Sequence, residues 1–71
     1  MSRTIGIIAG SGIYPEVFIN AARIKSPDTR LVMAAFHGET REGIANKADD
    51  VDWFSVGQLG KMIKFFNKQG V

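Results

Sequence analysis

Seventy-one residues, with nine Lys or Arg against seven Asp or Glu and a net charge of +2, make one small domain at most; a chain of this length buries only about 60% of the surface its unfolded form exposes. The absence of cysteine excludes a disulfide framework, a thiolate zinc site and a Cys nucleophile, and fits a cytoplasmic setting. A composition of 45% hydrophobic and 23% charged residues is that of a soluble globular protein, the charge surplus marks no nucleic-acid partner, and no apolar run nears the ~20 residues that span a bilayer.

Ile5 to Ala9 predicts a strand buried on both faces. It ends in Gly10-Ser11-Gly12, and Pro15 stands where a helix can start. A strand feeding a glycine turn and a helix N-terminus is the layout of a phosphate-binding turn, because loop N–H groups and the helix dipole attract an anion. The same glycines also suit any tight strand–helix turn, and both readings stand. A dinucleotide fingerprint would place its third glycine where this chain has Pro15, which argues against the standard NAD cradle. Ser11 adds a hydroxyl donor, while Tyr14 either packs on a ligand ring or covers the helix start.

The helix runs from Pro15 to about Lys25, with Val17, Phe18, Ala21, Ala22 and Ile24 as its apolar side, and Ser26-Pro27-Asp28 stops it. Leu31 to Phe36 follows as a second strand, apolar throughout as expected of a parallel strand covered on both faces. His37 and Glu39 leave the sheet where Rossmann-type proteins place an acidic ribose ligand; the plainer reading is a turn. Thr40 to Ala48 predicts a short helix capped by Thr40.

Val51 to Val56 mixes Asp52 and Ser55 with apolar residues, so this third strand is expected at a sheet edge. Asp49, Asp50 and Asp52 are read as solvating that edge rather than holding a metal. Gly57 turns into a helix from Gln58 to about Gln69, closed by Gly70. Gln58 and Lys61 stand near the helix start within reach of a ligand, and Lys61 opposes the helix dipole. Leu59, Met62, Ile63 and Phe66 form the expected core stripe, with Phe65 off it. Lys61, Lys64 and Lys68 form a ridge, either a solvated face or a contact for an anionic membrane or partner.

Strands alternating with helices imply right-handed parallel crossovers. The expected fold is an α/β, Rossmann-like three-layer half-domain with strand order 3-2-1. The first strand then lies at an open edge despite its apolar composition. A fourth strand is expected beside it from Val71 onward, so the chain reads as a fragment. Neither a Ser-His-Asp set nor paired catalytic carboxylates can be assembled. Such a segment binds rather than catalyses.

Two motifs together carry a family resemblance. Ile8-Ala9-Gly10-Ser11-Gly12-Ile13-Tyr14-Pro15 resembles the opening Ile-Ala-Gly-x-Gly-x-Leu-Pro signature of the UDP-2,3-diacylglucosamine diphosphatases of lipid A biosynthesis, with Tyr14 in place of the usual leucine. Gly57-Gln58-Leu59-Gly60-Lys61 is similar to that family's Gly-Gln-Leu-Gly-Lys helix start, and Ala48-Asp49-Asp50-Val51 stands where the family has Ala-Asp-x-Val before its third strand. The resemblance implies the N-terminal domain of a two-domain hydrolase that releases UMP and lipid X. It implies Mg²⁺ held by carboxylates of a missing C-terminal domain, and work at the inner membrane surface. No catalytic residue carries over to this chain. Gly10, Gly12, Gly57, Gln58, Gly60 and Lys61 match motif positions and, with Ser11, are the expected substrate-binding residues. The expected partners are the acylated nucleotide sugar, the missing domain, the membrane surface and a second copy in a homo-oligomer, with no nucleic acid among them. Two rivals remain: a domain preceding an ATP-grasp ligase, whose Gly-Gln-Leu-Gly run usually belongs to the first turn, and a stand-alone nucleotide-binding module.

Overall fold

A computed structural model describes residues 3–71. Three parallel strands, β1 (Thr4–Ile8), β2 (Arg30–Phe36) and β3 (Asp50–Phe54), form one sheet in the order β1-β2-β3, with β2 central as the order 3-2-1 requires. Helices α1 (Tyr14–Lys25) and α2 (Glu42–Ala45) cover one face and α3 (Leu59–Lys68) the other. The period-2 alternation of strands divides β2 between them. Leu31, Met33 and Ala35 pack with Ile19, Ile44 and Ala45, whereas Ala34 packs with Phe54 and Met62. All five residues from Leu31 to Ala35 are fully buried, which is why β2 reads as continuous hydrophobicity.

The helices sit differently on this sheet from what their sequences suggest. In α1 the core is reached by Ile19, with Ala22 partly buried behind it, while Val17, Phe18, Ala21 and Ile24 point outward. In α3 the expected stripe is rolled: Met62, Phe65 and Phe66 face the sheet, and Leu59 and Ile63 are 60% and 51% exposed. Two neighbours explain the roll. Phe54 of β3 meets the Phe65 ring at 5.7 Å between centroids. Gly6 of β1 leaves the space that Phe66 fills, since a Cβ there would lie 3.0 Å from Phe66 Cε1 and from Val71 Cγ1. Gly70, at φ +81°, then closes the helix as expected, with the Val71 N–H donating to the Phe66 carbonyl at 3.0 Å.

The third strand ends at Phe54 rather than Val56, because Gly57 at φ +100° already needs Ser55 and Val56 for its turn. Helix α2 is shorter than expected and Thr40 does not cap it; Arg41 holds that position without a side-chain hydrogen bond. The buried Thr40 hydroxyl instead donates to the Ala9 carbonyl at 2.9 Å and accepts from the Phe36 N–H at 2.9 Å. It thereby fastens the end of β1 to the end of β2.

The acidic cluster is structural as well as solvating. Asp49 Oδ2 accepts from the Leu31 N–H at 2.7 Å and from Arg23 at 3.0 Å, and its own N–H donates to the Leu31 carbonyl at 2.8 Å. This two-way bond starts the β2–β3 ladder. Arg23 also donates to the Thr29 and Lys47 carbonyls, tying α1 to the chain between α2 and β3. Asp50 Oδ1 accepts from the Val51 N–H and Asp52 Oδ1 from the Trp53 N–H, both at 2.9 Å, while Gln58 Oε1 accepts from the Ser55 N–H at 2.7 Å. These alternate donors face away from β2, so β3 presents a row of satisfied N–H groups to its open side. At the opposite border Thr4, Gly6 and Ile8 turn their backbone groups away from β2, and no strand among the described residues meets them.

Candidate functional site

Parallel strands deliver all their following loops to one end of the sheet, the place where α/β folds bind ligands. Gly10 arrives there after β1, Glu39 after β2, and Gly57 and Gln58 after β3. With Phe36, Val56, Leu59 and Met62 these residues line a pocket of about 270 Å³ on the α3 side. The two glycine turns therefore meet, as their shared layout suggests. The wall they meet in is nevertheless apolar, and its one ionisable side chain is Glu39. Sequence reasoning missed this because Phe36 and Met62 come from a strand and a helix that carry no motif.

The other expected binding residues distribute around this pocket. Gln58 also walls a larger groove of about 790 Å³ between β3 and α3, lined by Lys61, Lys64 and Lys68 on the helix and by Asp50 and Asp52 on the strand. Among the described residues none of these three lysines has an ion-pair partner. Gly10 also borders a third hollow, shared with Gly12, Tyr14 and Phe18 outside β1. Ser11 and Gly60 are exposed and line none of these three.

The glycines differ in what they do for the fold. Gly57 needs its residue type because of its positive φ. Gly10 and Gly12 have no positive φ; a Cβ at Gly10 would meet nothing within 4 Å, and one at Gly12 only the Tyr14 ring at 3.8 Å. Open backbone of this kind is approachable from outside.

Two carboxyl groups are held below their usual range. Asp49 is lowered chiefly by the Leu31 N–H, then by Arg23. Glu16 is lowered by its hydrogen bond and ion pair with Lys47 at 2.5 Å. His37 stacks on Trp53 at 5.9 Å, on the side of the sheet away from Glu39, so the two do not act together. Among the described residues no group of three His, Cys, Asp or Glu side chains could hold a metal ion. No described helix is long and apolar enough to cross a membrane.

Comparison with protein families matches residues 4–71 to the LpxI N-terminal domain. The chain belongs to that family. Both glycine motifs and the Ala48-Asp49-Asp50-Val51 segment lie inside the matched span. Membership places the chain among enzymes of lipid A biosynthesis and sets aside the ATP-grasp reading. Comparison with curated proteins and with solved structures gives no match. In this chain the Asp of the Ala-Asp-x-Val segment, Asp49, is the residue that opens the β2–β3 ladder.

Proposed function

We propose that this domain helps bind UDP-2,3-diacylglucosamine in an enzyme that hydrolyses its pyrophosphate to UMP and lipid X. The observation that carries the reading is the meeting of the two motif turns, Gly10 and Gly57–Gln58, in one pocket at the carboxyl end of a parallel sheet. Family membership supports a lipid substrate of lipid A biosynthesis. In this reading Gly10 and Gly12 present free backbone to the substrate's polar part from the hollow outside β1, with Ser11 exposed between them. Gly57 shapes the second turn, Gln58 and Lys61 border the lysine-bearing groove beside it, and Gly60 stands exposed at the start of α3. The lysine ridge faces the anionic inner membrane surface, where lipid substrate resides.

The Mg²⁺ that the resemblance implies does not fit the residues present here, since no suitable cluster exists among those described. No step through the metal is derived from this chain. Catalytic groups and metal are assigned to a C-terminal domain of the enzyme.

The test has two parts. The full-length enzyme should release UMP from the acylated nucleotide sugar when Mg²⁺ is present; no UMP with or without the metal overturns the reading. Gly10→Val then separates a ligand-facing turn from plain turn chemistry. Because a Cβ there meets nothing within 4 Å and the φ is not positive, the melting temperature should hold while KM rises about tenfold, a loss of roughly 1.4 kcal/mol of binding. A fall in melting temperature at unchanged KM would return Gly10 to a purely structural role.

A further inference from the structure

We propose that the pocket between the two glycine turns receives a segment of one acyl chain of the lipid substrate, not its pyrophosphate. This rests on the functional reading above and assigns one part of that substrate to one place. Phosphate is refused on charge. No Lys or Arg lines the pocket, and the Glu39 carboxylate stands in its wall, whereas the cations Lys61, Lys64 and Lys68, three against the carboxylates of Asp50 and Asp52, all lie in the groove on the far side of Gln58. An anion entering here would leave water for a site offering a like charge and no counter-charge.

The uncharged polar parts fare little better. A uracil or sugar carries several donors and acceptors, and burying them against Phe36, Val56, Leu59 and Met62 leaves hydrogen bonds unmade. A polymethylene segment has none to lose, and each buried CH₂ tightens binding about fourfold. The rim already displays the surface such a chain would cover: Val56 is 87% exposed and Leu59 60%. The volume of about 270 Å³ sits just under the roughly 300 Å³ at which drug-sized sites begin. It suits part of one chain rather than a whole lipid. The arrangement as a whole is amphiphilic, an apolar pocket and a charged groove with a lysine surplus sharing the wall of Gln58, and an acylated sugar phosphate has that same division.

The experiment compares long-chain and acetyl-chain forms of the diacylated nucleotide sugar on the full-length enzyme and on Val56→Trp and Leu59→Glu. Both positions are exposed, so neither change removes a core side chain. The wild type should favour the long-chain form, and each variant should cut that preference, read as the ratio of kcat/KM values, by about tenfold or more, the equivalent of two methylenes expelled. UMP release with the preference intact in both variants overturns the acyl assignment and leaves the hydrolase reading standing. An equal loss on both substrates also overturns it, since that is what covering of the pocket by another part of the enzyme would give. If the wild type releases no UMP from either form, the hydrolase reading fails. Calorimetric binding of diacylglucosamine 1-phosphate and its deacylated form then judges the pocket, and equal affinities in wild type and variants overturn it.

Discussion

Thr40→Val lowers the unfolding free energy by about 2–4 kcal/mol. The hydroxyl serves two backbone groups at once, the buried Ala9 carbonyl and the half-buried Phe36 N–H, each at 2.9 Å. Valine keeps the shape and removes both bonds, so each orphaned group costs about 1–3 kcal/mol rather than the smaller net worth of a hydrogen bond. A domain of 71 residues holds roughly 4–10 kcal/mol in total, so the loss is a large fraction of its stability. Urea unfolding of wild type, Thr40→Val and Thr40→Ser followed by circular dichroism reads it directly. Serine should recover most of the midpoint because it retains the hydroxyl. Equal midpoints for valine and wild type would show that water takes over both bonds. The effect reaches the site as well, because Ala9 immediately precedes Gly10 and its release loosens the first glycine turn.

Asp49→Ala should cost about 2 kcal/mol at neutral pH, most of it from the Leu31 N–H left without an acceptor inside the sheet. The ion pair with Arg23 adds little, since its side chains are 34% and 40% exposed. Asp49→Asn separates the two contributions: its amide oxygen still accepts from Leu31, so it should lose about 1 kcal/mol or less. The same residue shapes the acid limb of stability. Its folded carboxyl lies below the ordinary aspartate value, from the Leu31 N–H first and Arg23 second. At low pH the unfolded chain therefore takes up the proton before the folded one does. The stabilisation is complete above about pH 4, the unfolded value, and is lost as pH falls through the lowered folded one. Glu16, held low by Lys47, acts in the same direction. Unfolding midpoints measured from pH 7 to pH 2.5 should fall less steeply in Asp49→Asn than in wild type. Parallel curves would remove Asp49 from the acid response.

Much of the architecture was legible because single segments state it. The run Leu31 to Phe36 is apolar at every position, and only a central parallel strand buries both its faces. Gly57 and Gly70 sit where the backbone needs positive φ. What escaped the sequence depends on residues far apart in the chain. The roll of α3 is decided by Phe54 and by the space above Gly6, and nothing within residues 59–68 reports either. Thr40 precedes a helix and so resembles a cap, yet its partners are Phe36 and Ala9. The meeting of the two glycine turns could be read from their common layout after parallel strands. The apolar character of the pocket between them could not, because Phe36 and Met62 reach it from separate elements. Asp49 looked like one of three solvated carboxylates, and the one local hint of its role was its place just ahead of the third strand.

The two borders of the sheet are unlike, and this limits how copies of the chain can associate. Asp50, Asp52 and Gln58 have already claimed the outward donors of β3, so an incoming strand would find only acceptors there, with a carboxylate beside two of them and a carboxamide beside the third. β1 has no such guard. Strand-to-strand growth into a fibril needs two reactive borders per molecule, one to join and one to pass the invitation on. Among the described residues only β1 is receptive, so a single strand joining there leaves no border for further growth.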